Sequence, residues 1–181
     1  MSNRLQPINP EAASEELKKI YQDLQKKMGG KIYNVFLNMG NSPAVLKGYL
    51  ALSEAEKQAH LSPKLKQQIA LVVSQDNTCQ YCLAAHTQIA KSVGLQDNEI
   101  MQARQGQASE IKTQAILKFA KLVSDKKGKV SDQDVAQLKE AGVNEQELVE
   151  ITLVVLTTLF TNYFNNVTDP QVDFPLAPAM D

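Results

Sequence analysis

Three dipeptides set the outline of this chain. Asn9-Pro10, Ser42-Pro43 and Ser62-Pro63 each place a hydrogen-bond-accepting side chain directly before a proline. The first residue suits a helix N-cap, and the proline suits the first helical position, where its missing N–H would be an orphan in any case. Ser131-x-x-Asp134 and Asn144-x-x-Glu147 resemble capping boxes that open two further helices. Gly29-Gly30, Gly94, Gly128 and Gly142 fall where helices of this spacing would stop. The punctuation predicts an all-α fold, with helices over 10–28, 43–58, 63–76, 79–93, 97–104, 110–125, 132–141 and 145–165. In segment 110–125, Ile111, Ala115, Leu117, Phe119 and Leu122 are expected to form the apolar face.

One run, Ile69-Ala70-Leu71-Val72-Val73, also suits a buried strand. Length decides against it, because Pro63 to Asp76 is a long patterned stretch that starts at a cap. The run also recurs. At an offset of 82 residues it aligns without a gap with Ile151-Thr152-Leu153-Val154-Val155, while Leu61 falls on Val143 and Tyr81 on Tyr163. A repeated helical unit explains both copies, each covering an apolar face of the other. The expectation is one helical domain over 1–181, with a first copy at about 43–104, a second at about 125–167 and an extended tail over 169–181. Val172, Phe174 and Leu176 give that tail something to pack with.

Composition excludes several partners. Against 20 Asp and Glu stand 19 Lys and Arg, a formal net charge of -1, so no whole-protein field favours nucleic acid or an anionic membrane. No continuous apolar run approaches the ~20 residues of a membrane span, and MSNRLQPINP lacks the apolar core of a secretory signal. A cytoplasmic protein is expected. Two cysteines cannot make a secreted disulfide framework, and in a reducing compartment a Cys-x-x-Cys pair points to redox or metal chemistry.

The pair lies in Asn77-Thr78-Cys79-Gln80-Tyr81-Cys82-Leu83-Ala84-Ala85-His86. With Asn77 or Thr78 as cap, Cys79 enters the first turn of a helix, and Cys79, Cys82 and His86 fall within about 60° around its axis. Spacing i,i+3 brings two thiols within disulfide reach, and i,i+4 lets an imidazole approach the second sulfur. Peroxide chemistry needs such a stripe. A thiolate attacks one peroxide oxygen to give a sulfenic acid, and a second thiol condenses with it to a disulfide. A helix N-terminus and an imidazole both favour ionisation of the attacking thiol.

The stretch LSPKLKQQIALVVSQDNTCQYCLAAHTQIAKSVG, from Leu61 to Gly94, resembles the alkylhydroperoxidase D-like, carboxymuconolactone decarboxylase superfamily. A looser match continues through the helices to FTNYFNNVTDPQVDFP. The resemblance implies an all-α alkylhydroperoxidase D-like fold and a homo-oligomer, trimer or hexamer. It implies a hydroperoxide substrate, a thiol or dithiol protein reductant, and no metal, flavin or haem cofactor. By the same resemblance Cys82 is the attacking cysteine, Cys79 the more exposed resolving one, and His86 the proton relay. Where the family pattern has a glutamate, twelve residues before the first cysteine, this chain has Gln67, which cannot exchange a proton. A local replacement would have to be Asp76 or come from elsewhere in the chain, with Glu150, at the edge of the second copy, as one candidate. Gln67 and Tyr81, the latter between the cysteines, are expected to line the site.

Other readings compete. Cys79, Cys82 and His86 would supply three zinc ligands, but the chain has no second cysteine pair to close a structural site. A thioredoxin-like dithiol enzyme needs strands that the pattern does not offer. A decarboxylase acting by acid–base chemistry has no use for the two thiols. A low-activity oligomeric scaffold stays open because of Gln67, and His60 reads as a polar loop residue without a role.

Overall fold

A computed structural model describes residues 4–180; residues 1–3 and 181, the ends of the expected domain and tail, lie outside the described residues. Among the described residues there are nine α-helices and no strand. They are α1 (Glu15–Lys27), α2 (Asn34–Met39), α3 (Pro43–Gln58), α4 (Pro63–Asp76), α5 (Gln80–Ser92), α6 (Asp97–Arg104), α7 (Ile111–Asp125), α8 (Asp132–Glu140) and α9 (Glu145–Thr168).

The caps work as their side chains predict. Ser42 and Ser62 accept from the backbone N–H of Val45 and Leu65, and Ser131 and Asn144 close full capping boxes with Asp134 and Glu147. The N-terminal helix differs from expectation. Asn9 does cap a start at Pro10, but this is a short 3-10 turn over Pro10–Ala12, and Ser14 then caps a second start at Glu15. Extended backbone at Ala13 separates the two. α2 carries no side-chain cap at Tyr33 and was not anticipated; its Val35, Phe36, Asn38 and Met39 are buried, so tertiary packing holds it.

α4 lies at the centre, packed against α5, α6, α7 and α9. Its run Ile69 to Val73 is buried nearly all round, as the length argument required. Together with Ile116, Leu117, Ile151, Val154 and Val155 it makes the main core. In α7 the core side is Ile116, Leu117, Phe119, Ala120 and Val123; Ile111, expected on that face, is 81% exposed. A second core joins α1, α2 and α3 through Leu17, Tyr21, Leu24, Phe36, Met39 and Leu46, and it takes in Cys79, Tyr81 and Cys82. The segment that carries the two cysteines therefore sits at the seam between the two.

Lys66 is a buried cation placed where its charge is met. Its Nζ donates to the carbonyls of Glu56 and Ala59, both at 2.7 Å, at the C-terminal end of α3. Those carbonyls are the negative end of the helix dipole. α9 is long and apolar enough to cross a membrane by length and composition alone, although Thr and Asn interrupt its apolar runs. One face, with Ile151, Val154, Val155, Thr158, Asn162 and Asn165, is buried in the protein. The other exposes Val149, Leu156, Phe160, Tyr163 and Val167.

Candidate active site

The chain turns sharply between α4 and α5. Thr78 has a φ of 51°, a left-handed conformation that costs a β-branched residue about 1–3 kcal/mol. Its neighbours hold it there. The Asn77 amide donates to Val73 O at 2.8 Å and to Ser124 Oγ at 3.0 Å, Asn166 donates to Asn77 O at 2.9 Å, and Cys79 N donates to Ser74 O at 3.0 Å.

The turn makes Cys79 itself the N-cap of α5, one position later than Thr78, the nearer of the two residues expected to cap. Its sulfur accepts from the Cys82 backbone N–H at 3.3 Å. Cys79 and Cys82 are joined as a disulfide, with Cα atoms 5.3 Å apart. Both are buried, at 1% and 2% exposure, so the expectation of a more exposed Cys79 does not hold in terms of surface. They differ in what they face. Cys79 lines a cavity of about 550 Å³ with Tyr81, Asn165, Asn166 and the start of the C-terminal segment; Cys82 does not.

His86 lies one turn beyond Cys82 on α5. Its Nδ1 is 2.9 Å from Gln67 Oε1, which joins α5 to α4 at the position where the family pattern has a glutamate. A glutamine oxygen only accepts, so Nδ1 carries the proton and Nε2 is the free basic nitrogen. Burial of the ring pushes its pKa down to about 4, leaving His86 neutral near pH 7.

Neither substitute acid reaches this pair. Asp76 is ion-paired with Lys121. Glu150 sits where α3 meets α4, 3.2 Å from His60 Nδ1, and accepts from Leu61 N at 3.1 Å and from Gln146 at 2.9 Å. Burial pushes the Glu150 carboxyl up, but these donors outweigh it and hold it at about 2. His60 thus has a hydrogen-bond partner and stays exposed. Among the described residues no group of three or more His, Cys, Asp and Glu side chains is placed to hold a metal ion.

Tyr81 is buried and points away from the helix axis towards the tail. Its hydroxyl donates to Asp173 Oδ1 at 2.7 Å and accepts from Val35 N at 3.3 Å, while burial and the Asp173 carboxylate raise its pKa. Asp173 also accepts from Asn34 N at 2.9 Å, and Phe174 stacks on Tyr33 with ring centroids 4.4 Å apart. Val172 and Phe174 pack as expected; Leu176 stays exposed. Two contacts were not read from sequence: this Asp173 anchor, and Asn165 Nδ2, which donates to Cys82 Sγ at 3.3 Å. The one signal for the second was the cluster Asn162, Asn165 and Asn166 near the end of a helix whose middle is largely apolar.

A model of the Carboxymuconolactone decarboxylase family matches residues 43–125, which hold Gln67, both cysteines and His86. The fold also superposes on an uncharacterized peroxidase-related protein with an alkylhydroperoxidase AhpD core from Ralstonia eutropha JMP134 (TM-score 0.84, 20% identity, 94% of this chain and 92% of that one). Residues 43–125 thus resemble the Carboxymuconolactone decarboxylase family, and the chain has the fold of the alkylhydroperoxidase AhpD core. Two further structures share this fold. One is a variant of the debrominase Bmp8 in complex with 2,3,4-tribromopyrrole (TM-score 0.80, 22% identity, 96% of this chain and 93% of that one). The other is an uncharacterized peroxidase-related protein from Silicibacter sp. TM1040 (TM-score 0.80, 21% identity, 90% and 88%). No curated protein matches the sequence.

Proposed function

We propose that this protein is a cytoplasmic, thiol-dependent peroxidase that uses Cys82 to attack, Cys79 to resolve and His86 to move the proton. The observation that carries this reading is the Cys79–Cys82 pair at the N-terminal end of α5, with the His86–Gln67 pair one turn away. Neutral His86 takes the Cys82 thiol proton on Nε2. The sulfur attacks the hydroperoxide, an S–O bond forms, the O–O bond breaks, and the proton passes to the departing oxygen. Cys79 then displaces water from the sulfenic acid and restores the disulfide. A thiol or dithiol protein reductant returns both electrons, attacking Cys79, the sulfur that lines the cavity.

A second reading keeps the dithiol and changes the electrophile. The fold is shared with a debrominase, and Gln67 stands in place of the acid. Two thiols would supply the two electrons and two protons that replace a C–Br bond by C–H, with release of hydrogen bromide and formation of the disulfide.

Consumption of a hydroperoxide with a dithiol donor separates these. Wild type should turn over, Cys82→Ser should be inactive, and Cys79→Ser should lose turnover after one equivalent. Equal rates in all three refute the peroxidase mechanism. Bromide release from 2,3,4-tribromopyrrole without peroxide consumption favours the second reading. A homo-oligomer is part of the proposal. It is supported by the exposed apolar stripe of α9, whose Val149, Leu156, Phe160, Tyr163 and Val167 recur at spacings suited to a helix-pairing seam.

A further inference from the structure

α9 meets α5 at the reacting sulfur. Asn165 is 5% exposed, its Nδ2 donates to Cys82 Sγ at 3.3 Å, and its Oδ1 is buried without a hydrogen-bond partner. One turn earlier, Asn162 is fully buried and donates to Ser74 Oγ at 3.1 Å, again with Oδ1 unpartnered. Leaving acceptors unpaired in a buried seam is destabilising. A disulfide sulfur is a weak acceptor and offers little in return. A thiolate is a strong one, so the Asn165 contact gains most once the disulfide opens.

Apart from the N-terminal end of α5, the surroundings disfavour that thiolate. Cys82 belongs to the cluster of Leu17, Tyr21, Phe36 and Met39, and apolar burial raises a thiol pKa. The titratable groups around it are Cys79 and Tyr81 beside it, His86 one turn on, Tyr21 from α1, Tyr33 and Tyr49 at the edge of the cluster, and Asp173 behind Tyr81. α9 brings no charged side chain beyond Glu150 until Asp169. With His86 neutral, none of these supplies positive charge to the sulfur.

We propose that Asn165 is a further catalytic residue, whose Nδ2–H holds the Cys82 sulfur as a thiolate both when the disulfide is opened and when that sulfur attacks. The proposal rests on the reading of Cys82 as the reacting cysteine. In the reductive step, a thiolate of the reductant attacks Cys79 Sγ, a mixed disulfide forms, and the Cys79–Cys82 bond breaks with its electron pair on Cys82. Asn165 already touches the atom that receives the pair.

The test uses the full-length chain in a Cys79→Ser background, where Cys82 is the sole thiol. Thiolate absorbance in the ultraviolet and the rate of iodoacetamide alkylation give its titration with pH. Asn165→Leu should raise the Cys82 pKa by about one unit. In the two-cysteine protein the same change should shift the equilibrium with a dithiothreitol buffer about tenfold towards the disulfide. Asn165→Asp, close in shape, should raise the pKa at least as far and carries the test if the leucine variant does not fold. Asn162→Leu removes a buried amide of the same helix that does not touch the sulfur; it should lower stability and leave the titration unchanged. A Cys82 titration unaltered in both Asn165 variants, or shifted equally by Asn162→Leu, overturns the proposal. Peroxide consumption is read separately: a shifted titration without turnover upholds Asn165 and refutes the peroxidase reading.

Discussion

Replacing Gln67 by glutamate tests how the imidazole is set. In the native protein Nδ1–H of His86 donates to a neutral oxygen at 2.9 Å, and burial holds the ring at about 4. A carboxylate at that distance favours the imidazolium by about 1–3 pKa units, or roughly 1.4–4 kcal/mol. Gln67 is half-buried, so the new carboxylate is itself partly desolvated and the gain falls in the lower part of that range. The expected His86 midpoint in Gln67→Glu is about 5–6. The assay is the imidazole C2 proton shift followed by NMR across the acid range. The chain has only two histidines, and His60→Gln assigns the second signal. If Nε2 takes the thiol proton during turnover, the more basic ring should also raise the peroxide rate near neutral pH by about tenfold. A midpoint within half a unit of native refutes the electrostatic account of His86. A shifted midpoint with an unchanged rate removes proton transfer from the limiting step.

Three other outcomes follow from the geometry. The His86 pKa is lowered in the folded state, from 6.5 to about 4, so its contribution to stability is complete above pH 6.5 and is lost as pH falls towards 4. Urea unfolding should show native protein losing about 2–3 kcal/mol more than His86→Gln over that window, and parallel curves would contradict it. Tyr81→Phe removes a charge-assisted hydrogen bond to Asp173 and leaves Val35 N without its acceptor, for a loss of about 1.5–3 kcal/mol and a Tm lower by about 3–12 °C; Asp173→Asn should overlap that loss in a double-mutant cycle rather than add to it. Leu156→Glu with Phe160→Glu should convert an oligomer to a monomer in sedimentation with helical content unchanged, whereas a monomeric native protein at micromolar concentration sinks the α9 interface.

Local chemistry explains which parts of this fold were legible. Ser42, Ser62, Ser131 and Asn144 announce their helices because each side chain satisfies a backbone N–H three residues on, a bond that needs nothing remote. The same local rule misleads at Asn9, since it cannot show that Ser14 would compete for the start a few residues later. It is silent on α2, which lacks such a bond and is held by Val35, Phe36 and Met39 in a core built from distant segments. The same division runs through the site. Cys79, Cys82 and His86 lie within eight residues and could be placed on one helix by counting. Gln67 was found through the family pattern, and the structure gives it His86 as a partner. Asn165 and Asp173 contact the cysteine-bearing segment across 83 and 92 residues, and no periodicity encodes such a meeting.

Those long separations bear on how the protein comes into being. Cys82 is synthesised 83 residues before the amide that touches it, and Tyr81 92 residues before its carboxylate partner. Contacts so remote in sequence form late, because their loop-closure entropy must be met before they stabilise anything. A nascent or refolding chain therefore carries both cysteines in local helical structure well before their lasting surroundings exist. The reactivity of Cys82 towards an alkylating agent then becomes a clock for folding, changing at the moment α9 docks against α5.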